Sequence, residues 1–128
     1  MKLYLSIAAP DNKFVVFNKV ARLSTIRVTI AALREVMEKH HPSFAELLRR
    51  YASEQVRNAA TIGGNIANGS PIGDGPPALI ALGATLHLRR GDDLRSIPLE
   101  DFFLAYRKQD RAQDEFITRV IVPRPLAP

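Results

Sequence analysis

Apolar residues recur at helical spacing in two adjacent stretches of the chain. The first begins at Thr29, a candidate N-cap, and ends before Pro42, which cannot continue a helix. Its apolar positions are Ile30, Leu33, Val36 and Met37. The second begins at Ser43 and Glu46, which have capping-box spacing, and its apolar stripe contains Phe44, Leu47, Leu48 and Tyr51. Because residues three and four apart share a helix face, this pattern predicts two consecutive helices.

Shorter apolar and β-branched segments, separated by turn residues, predict strands. The predicted strands are residues 2–7, 14–17, 85–88, 94–97 and 116–122, with a turn at Pro10-Asp11-Asn12 between the first two. Short helices are predicted over residues 76–82, which Gly83 closes, and 99–106, and a charged loop over residues 107–115. Helices followed by strands with hairpin-like turns indicate an α+β fold, with a small, mostly antiparallel sheet and flanking helices.

The composition is typical of one globular domain. The 128 residues include 46% apolar side chains and no cysteine. Without thiolates the chain has no cysteine ligands for iron–sulfur clusters or zinc, so redox chemistry would need a bound organic cofactor. The apolar stretch over residues 3–10 is too short to cross a bilayer. We expect a cytoplasmic protein that does not enter a membrane.

The positive charge is concentrated in the first half of the chain. The net charge is +5, and residues 1–60 hold ten Lys and Arg against five Asp and Glu, whereas residues 61–128 hold eight of each. The basic residues are spread singly and no aromatic residues are interleaved with them, which favours a solvated surface over a nucleic-acid interface. Attraction of arginines to phosphates of a cofactor or partner is the remaining interpretation.

Five of the seven glycines lie between residues 63 and 75. Glycine allows close approach of the backbone to a ligand, and successive exposed N–H groups form a concave donor surface suited to pyrophosphate or sugar hydroxyls. The alternative is a surface loop in which Gly, Asn, Ser and Asp supply turn geometry. The segment has neither the Rossmann nor the P-loop glycine pattern.

The run VRNAATIGGNIANGSPIGD over residues 56–74, which continues through Pro76-Pro77-Ala78-Leu79 to Gly83-Ala84, resembles a known family. It is similar to the second FAD-contacting segment of the molybdenum hydroxylase flavin domain, as in xanthine dehydrogenase small subunits. The resemblance extends from about residue 29 to Val122-Pro123. It implies that residues 29–128 are the C-terminal lobe of that FAD-binding domain, preceded by atypical strands over residues 1–28, within a single domain overall.

The resemblance also implies a role in electron transfer. In such an enzyme FAD takes electrons from iron–sulfur clusters and passes a hydride to NAD, while a molybdenum-bearing subunit holds the substrate. NAD, the iron–sulfur clusters and the molybdenum cofactor would then reach this chain through the wider complex, with an iron–sulfur domain and a molybdenum-bearing subunit as partners. Likeness to the xanthine-type members implies purine catabolism.

Carried over by resemblance, the residues that hold the flavin nucleotide are Thr61, Ile62, Gly63, Gly64, Asn65 and Asp74, with Ser70 between them. Tyr51 falls where the family has an aromatic residue near the cofactor, and Ile117 where it has an aliphatic one. Each of these two also lies on an apolar stripe and has a core role as its alternative. Neither a catalytic nucleophile nor a general base is expected, because the flavin does the chemistry. His40 and His41 suit a helix end better than a metal site.

The family has an upstream glycine-rich turn for the pyrophosphate, and this sequence has no glycine before Gly63. We therefore expect the isolated chain to bind FAD weakly or not at all, because half a cleft loses contact area while still costing association entropy. A homo-oligomer or a separate chain could complete the cleft. A cofactor-free assembly module, without enzyme activity, is the alternative. A nucleic-acid-binding module is disfavoured, since the chain has no Trp and no recognisable motif for it.

Overall fold

Five strands form an antiparallel sheet in the computed structural model of the chain, which describes residues 5–6, 13–17 and 28–124. The strands are Leu5–Ser6 (β1), Lys13–Phe17 (β2), Thr85–Arg90 (β3), Asp93–Pro98 (β4), Phe103–Ala105 (β5), Lys108–Gln109 (β6) and Phe116–Pro123 (β7). The large sheet has the order β1-β2-β7-β3-β4, and β5 pairs with β6 separately. Each described pairing is antiparallel, which confirms the predicted sheet type. The predicted turn at residues 10–12 lies outside the described residues.

Six helices are described: Ile30–His40 (α1), Pro42–Arg49 (α2), Glu54–Ala59 (α3), Ile62–Asn68 (α4), Gly75–Ala81 (α5) and Leu99–Phe102 (α6). The predicted apolar faces of α1 and α2 contribute buried residues to the same core as β3 and β7, with Val36, Leu47 and Tyr51 partly buried against it, and the α+β class is confirmed. Helix α4 was not predicted, because Gly63 and Gly64 are weak helix formers. Among the described residues, none of these helices is long and apolar enough to cross a membrane.

The predicted capping box at the start of α2 is wrong. The helix begins at Pro42, so Ser43 lies inside it, and the N-cap residue His41 makes no side-chain cap bond. The Glu46 carboxylate instead accepts hydrogen bonds from Arg49 Nε at 2.7 Å and Arg50 Nε at 2.8 Å. Both bonds lower the pKa of Glu46, to about 2, and the bond from Arg49 contributes most. Pro42, whose fixed φ suits the first helical position, starts the helix one residue before Ser43 and leaves His41 at the N-cap.

A β-bulge places the apolar residues of β7 in the core. His87 pairs with Arg119, whereas Leu88 pairs with Ile117, so Thr118 is the extra residue of the bulge. The Thr118 hydroxyl donates to the His87 carbonyl at 3.1 Å. Because side chains alternate in a strand, Ile117 and Val120 could not both be buried without such an extra residue. Both are 1% exposed.

The predicted helix over residues 99–106 is correct for its first half. Helix α6 ends at Phe102, and the chain continues as β5. Phe102 is fully buried and meets the Phe103 ring edge to face, with 5.1 Å between ring centroids. The Phe102 carbonyl accepts from the Asp110 amide at 2.8 Å, which holds the returning chain beside it. This long-range contact ends the helix where periodicity alone would have extended it.

Candidate functional site

Thr61 is the N-cap of α4, and its backbone pairs with that of Thr29, just before α1, in a short antiparallel bridge. The Ile62 amide donates to the Val28 carbonyl at 3.0 Å. One turn into the helix, the Gly64 amide donates to Thr61 Oγ1 at 3.0 Å. Because the hydroxyl oxygen accepts this bond, its own proton can be donated to a ligand. The bridge therefore fixes a hydroxyl donor at the start of the glycine-rich segment.

The side chain of Asn65 connects three parts of the structure. Its Nδ2 donates to the Tyr51 hydroxyl at 3.2 Å, and its Oδ1 accepts from the Gly75 amide at 3.1 Å. Tyr51 follows α2, and Gly75 begins α5 directly after Asp74, whose side chain is exposed. Asn65 thereby joins the turn after α2 to the start of α5, which Asp74 directly precedes. We call Tyr51, Thr61, Asn65 and Asp74 the Asn65 cluster.

Two glycines of the segment make room for these side chains. A Cβ on Gly75 would overlap Asn65 Oδ1, and one on Gly64 would lie 2.8 Å from Thr61 Oγ1. Real Cβ atoms do not approach polar atoms so closely, so a side chain at either position would displace the residue that it meets. These glycines allow internal packing, a role that their sequence pattern did not indicate.

A double-mutant cycle should detect the packing of Gly75 against Asn65. Gly75→Ala is expected to cost about 1–3 kcal/mol of unfolding free energy, because overpacking forces Asn65 out of its position. In an Asn65→Ala background the added methyl meets less resistance, so the cost should fall by about 1 kcal/mol. Urea unfolding of the four proteins measures this coupling. Costs that simply add would contradict the contact.

Most of the amides expected to face a ligand have partners within the chain. The Asn65 amide donates to the Thr61 carbonyl at 2.9 Å, and the Gly69 and Gly73 amides donate to the carbonyls of Ile66 and Ser70. Together with the bonds described above, the amides of residues 62, 64, 65, 69, 73 and 75 are engaged. The expectation of a ligand-facing amide surface is therefore wrong for these residues, because α4 and its flanking turns use their donors.

The other predicted site residues differ in how far they are exposed to solvent. Ser70 Oγ accepts from the Ile72 amide at 3.4 Å, and its hydroxyl proton can also be donated. Ile62 and Gly63 are buried in α4. Ile117, in β7, is 1% exposed, as its core alternative expected, and a flavin contact for it stays a prediction. Hydrogen bonds thus connect Tyr51, Thr61, Gly64 and Asn65, Asp74 directly precedes the Gly75 that Asn65 binds, and Ile117 lies in the core.

A groove of about 260 Å³ borders the C-terminal end of the glycine-rich segment, and its wall was not predicted from the sequence. Its lining includes Ser70, Pro76, Phe103, Tyr106 and Arg107. Tyr106 is 72% exposed, and the Arg107 guanidinium lies 5.5 Å from its ring centroid. The adjacent aromatic and basic residues were the available signal, which the predicted helix over residues 99–106 obscured.

His41, which was predicted to lie at a helix end, is a buried structural residue. Its Nε2 atom lies 2.8 Å from the Pro123 carbonyl oxygen, and 7% of the residue is exposed. The contact joins the α1–α2 corner to the end of β7. Within residues 28–124, no group of three or more His, Cys, Asp or Glu side chains is arranged to hold a metal ion.

Comparison with known proteins agrees with this fold and with the resemblance carried by residues 56–74. A family model described as the FAD binding domain in molybdopterin dehydrogenase matches residues 18–125. The chain belongs to this family. The matched region of the FAD-binding family begins upstream of residue 29, and the division into residues 1–28 and 29–128 stays a prediction.

Two curated relatives in the FAD-binding family illustrate the similarity. The chain is 43% identical over 83 residues to nicotinate hydroxylase of Emericella nidulans, a match to 65% of this chain and 6% of that protein. It is 41% identical over 99 residues to xanthine dehydrogenase of Oryza sativa subsp. japonica, a match to 71% of this chain and 7% of that protein. The chain therefore spans a small part of the length of these relatives.

A solved structure shows the same fold. Quinoline 2-oxidoreductase from Pseudomonas putida 86 superposes with a TM-score of 0.81 at 25% sequence identity. The superposition covers 96% of this chain and 40% of that chain. The α+β fold expected from the resemblance is thereby confirmed, as is membership of the molybdenum hydroxylase FAD-binding family.

Proposed function

We propose that the Asn65 cluster forms one wall of an FAD site in a xanthine-dehydrogenase-like oxidoreductase. The observation that carries this proposal is the pair of hydrogen bonds by which Asn65 joins the Tyr51 hydroxyl to the Gly75 amide, which follows the exposed Asp74 in the chain. This donor set suits a nucleotide, which presents phosphate oxygens, sugar hydroxyls and an aromatic ring system. When bound, FAD would supply the redox chemistry, and the chain would bind, orient and shield it.

The roles of the individual residues follow from their bonding capacity. The hydroxyl protons of Thr61 and Ser70 can be donated to phosphate or ring acceptors, while Asp74 can accept from ribose hydroxyls. The half-buried Tyr51 offers ring surface, and Asn65 holds these groups in place. Ile62, Gly63 and Gly64 build the helix that carries them, and Ile117 supports the wall from the core.

The wider role would be electron relay. FAD bound to this wall would receive electrons from an iron–sulfur domain and deliver them to NAD, while a molybdenum-bearing subunit oxidises a purine-type substrate in the cytoplasm. Membership of the family and the small share of each relative that the chain covers support this assignment, because the remaining centres would lie on other parts of such an assembly.

A second function, a cofactor-free assembly module, is favoured by the internal bonding of the amides over residues 62–75. A backbone whose N–H donors already have partners carries no penalty for unsatisfied donors when no ligand is bound. In this role the chain would keep the fold of the family and contribute contact surface to a complex, without handling electrons.

An FAD titration of the purified chain, followed by equilibrium dialysis, separates the two functions. We expect weak binding, with a Kd above about 10 μM, because one wall provides limited contact area. Asp74→Asn should weaken it about tenfold, as loss of a charge-assisted hydrogen bond predicts. Asp92→Asn, at an exposed carboxylate in the β3–β4 turn, is the matched control and should change nothing.

The outcomes of this titration are distinct. Tight stoichiometric binding by the monomer would contradict the half-cleft expectation. Absence of binding, both alone and with a relative's glycine-rich upstream lobe added as a separate chain, would favour the assembly module. Binding that is insensitive to Asp74→Asn would remove Asp74 from the site.

A further inference from the structure

We propose that Arg57 is a positioning residue that holds Tyr51 in the Asn65 cluster and so sets the aromatic part of the FAD wall. This inference rests on the proposed function for its consequence, although its structural part can be tested without FAD. Arg57 lies on α3, in the same glycine-rich signature that carries the family resemblance, and the site described above gives it no role.

The contacts of Arg57 converge on the turn between α2 and α3. Its Nη1 atom donates to the Tyr51 carbonyl and to the Ala52 carbonyl, both at 2.9 Å. Two backbone carbonyls on consecutive residues are thereby tied to one guanidinium. Since a hydrogen bond from a charged donor is about twice as strong as a neutral one, this contact can determine the path of the turn.

The turn needs such support because Ala52 has a φ of +46°. A residue with a Cβ is strained in the left-handed region, and such strain persists where surrounding contacts impose it. The Arg57 bonds to the carbonyls on both sides of this strained position are such contacts. Glycine would adopt the same φ at little cost, so Ala52→Gly offers a way to restore the turn without the arginine.

The backbone that carries the guanidinium is itself fixed. Ser53 caps α3 by accepting from the Val56 amide at 3.3 Å, and the Arg57 amide donates to the Ser53 carbonyl at 2.9 Å. The chain of contacts therefore runs from α3 through Arg57 to Tyr51, and from the Tyr51 hydroxyl to Asn65 Nδ2 at 3.2 Å. Arg57 acts on the cluster through Tyr51, at a distance from any ligand.

NMR of the 128-residue chain with labelled tyrosine, asparagine and phenylalanine tests this role. The chain has three tyrosines, so Tyr51→Phe assigns the ring signals. In the wild-type chain we expect a cross-peak between the Tyr51 ring and the Asn65 side-chain amide. Arg57→Ala should abolish it and move the Tyr51 signals towards random-coil values, while the signals of the buried Phe102 stay unchanged. Adding Ala52→Gly to this variant should restore the cross-peak.

Two further variants keep the experiment decisive. Arg34→Ala, whose guanidinium bonds to Glu38 on the surface of α1, is the matched control and should leave the Tyr51 signals unchanged. Arg57→Lys retains the charge on a different stem, and it should fold and shift the Tyr51 signals by a smaller amount than Arg57→Ala. Unchanged Tyr51 signals in Arg57→Ala, or in Arg57→Lys where the alanine variant does not fold, would overturn the inference.

The FAD titration of the same variants separates this inference from the proposed function. Arg57→Ala should raise the Kd for FAD about tenfold, and Ala52→Gly should recover most of that loss. If the wild-type chain shows the cross-peak but binds no FAD, the proposed function fails and the positioning of Tyr51 stands. If FAD binds and Arg57→Ala changes neither the Kd nor the Tyr51 signals, the proposed function stands and the inference fails.

Discussion

Replacing Asn65 with alanine is expected to lower the free energy of unfolding by about 2–3 kcal/mol and to reduce FAD binding below detection. The variant leaves the Gly75 amide and the Tyr51 hydroxyl without the partners that they have in the structure. An unsatisfied, partly buried polar group costs about 1–3 kcal/mol. Because Asn65 also fixes Tyr51 relative to Asp74, the nucleotide wall would lose its arrangement at the same time.

Urea unfolding and FAD titration of matched variants check this result. Asn68→Ala, at an exposed asparagine on the same helix, should change the unfolding free energy by less than about 0.5 kcal/mol. Asn65→Asp keeps an oxygen for the Gly75 amide but loses the donor to Tyr51, so its cost should lie between the other two. Equal costs for Asn65→Ala and Asn68→Ala would contradict the joining role of Asn65.

The parts of the fold that were predicted correctly depend on local patterns. Thr29 caps α1, as its position before the apolar stripe indicated, because its side chain accepts from Ala32 three residues later. The alternation over Thr85–Arg90 places Leu86 and Leu88 in the core, as a half-buried strand requires. Such signals lie within a few residues of each other and can be read from the sequence alone.

The parts that were missed depend on distant partners. Gly75 is required beside Asn65, ten residues earlier, and nothing in the local pattern of either residue shows this contact. Thr118 forms a bulge that depends on the register with β3, and α6 ends where the returning chain binds Phe102. Propensity and periodicity carry no information about such contacts, so the α4 helix and the hairpin of β5 and β6 could not be predicted.

The candidate site shows the same division. The resemblance selected Thr61, Asn65, Asp74 and Tyr51, but the bond between Asn65 and Tyr51 joins residues fourteen positions apart. The glycines suggested a backbone donor surface, whereas the structure uses most of those amides internally. What the proposed site can offer a nucleotide is therefore concentrated in side chains, which makes it more sensitive to single substitutions than a backbone cradle would be.

A charged cluster centred on Arg95 holds the segment over residues 107–115 against β4. Arg95 Nε and Nη2 donate to the two carboxylate oxygens of Glu115 at 2.6 and 2.7 Å, and Nη1 donates to Asp110 Oδ2 at 2.9 Å. Glu115 is 7% exposed. The hydrogen bond from Arg95 is the main cause that lowers the pKa of the Glu115 carboxyl below its ordinary value. A carboxylate held in this way stabilises the fold while it stays ionised.

We therefore expect Arg95→Ala to lower the free energy of unfolding by about 2 kcal/mol at pH 7, less than the roughly 3–5 kcal/mol of a fully buried pair because Arg95 is partly exposed.

The pH dependence of this stabilisation follows from the direction of the Glu115 pKa shift. Since the pKa of Glu115 is lower in the folded state, its stabilisation is present above the unfolded value of 4.5 and is lost as the pH falls through the folded value. Urea unfolding at pH 7 and pH 4 should show a smaller difference for Arg95→Ala than for the wild-type chain. Arg34→Ala, which removes the surface pair with Glu38 on α1, should retain the wild-type difference. Equal pH differences in all three proteins would mean that the Arg95 bonds do not hold Glu115 ionised.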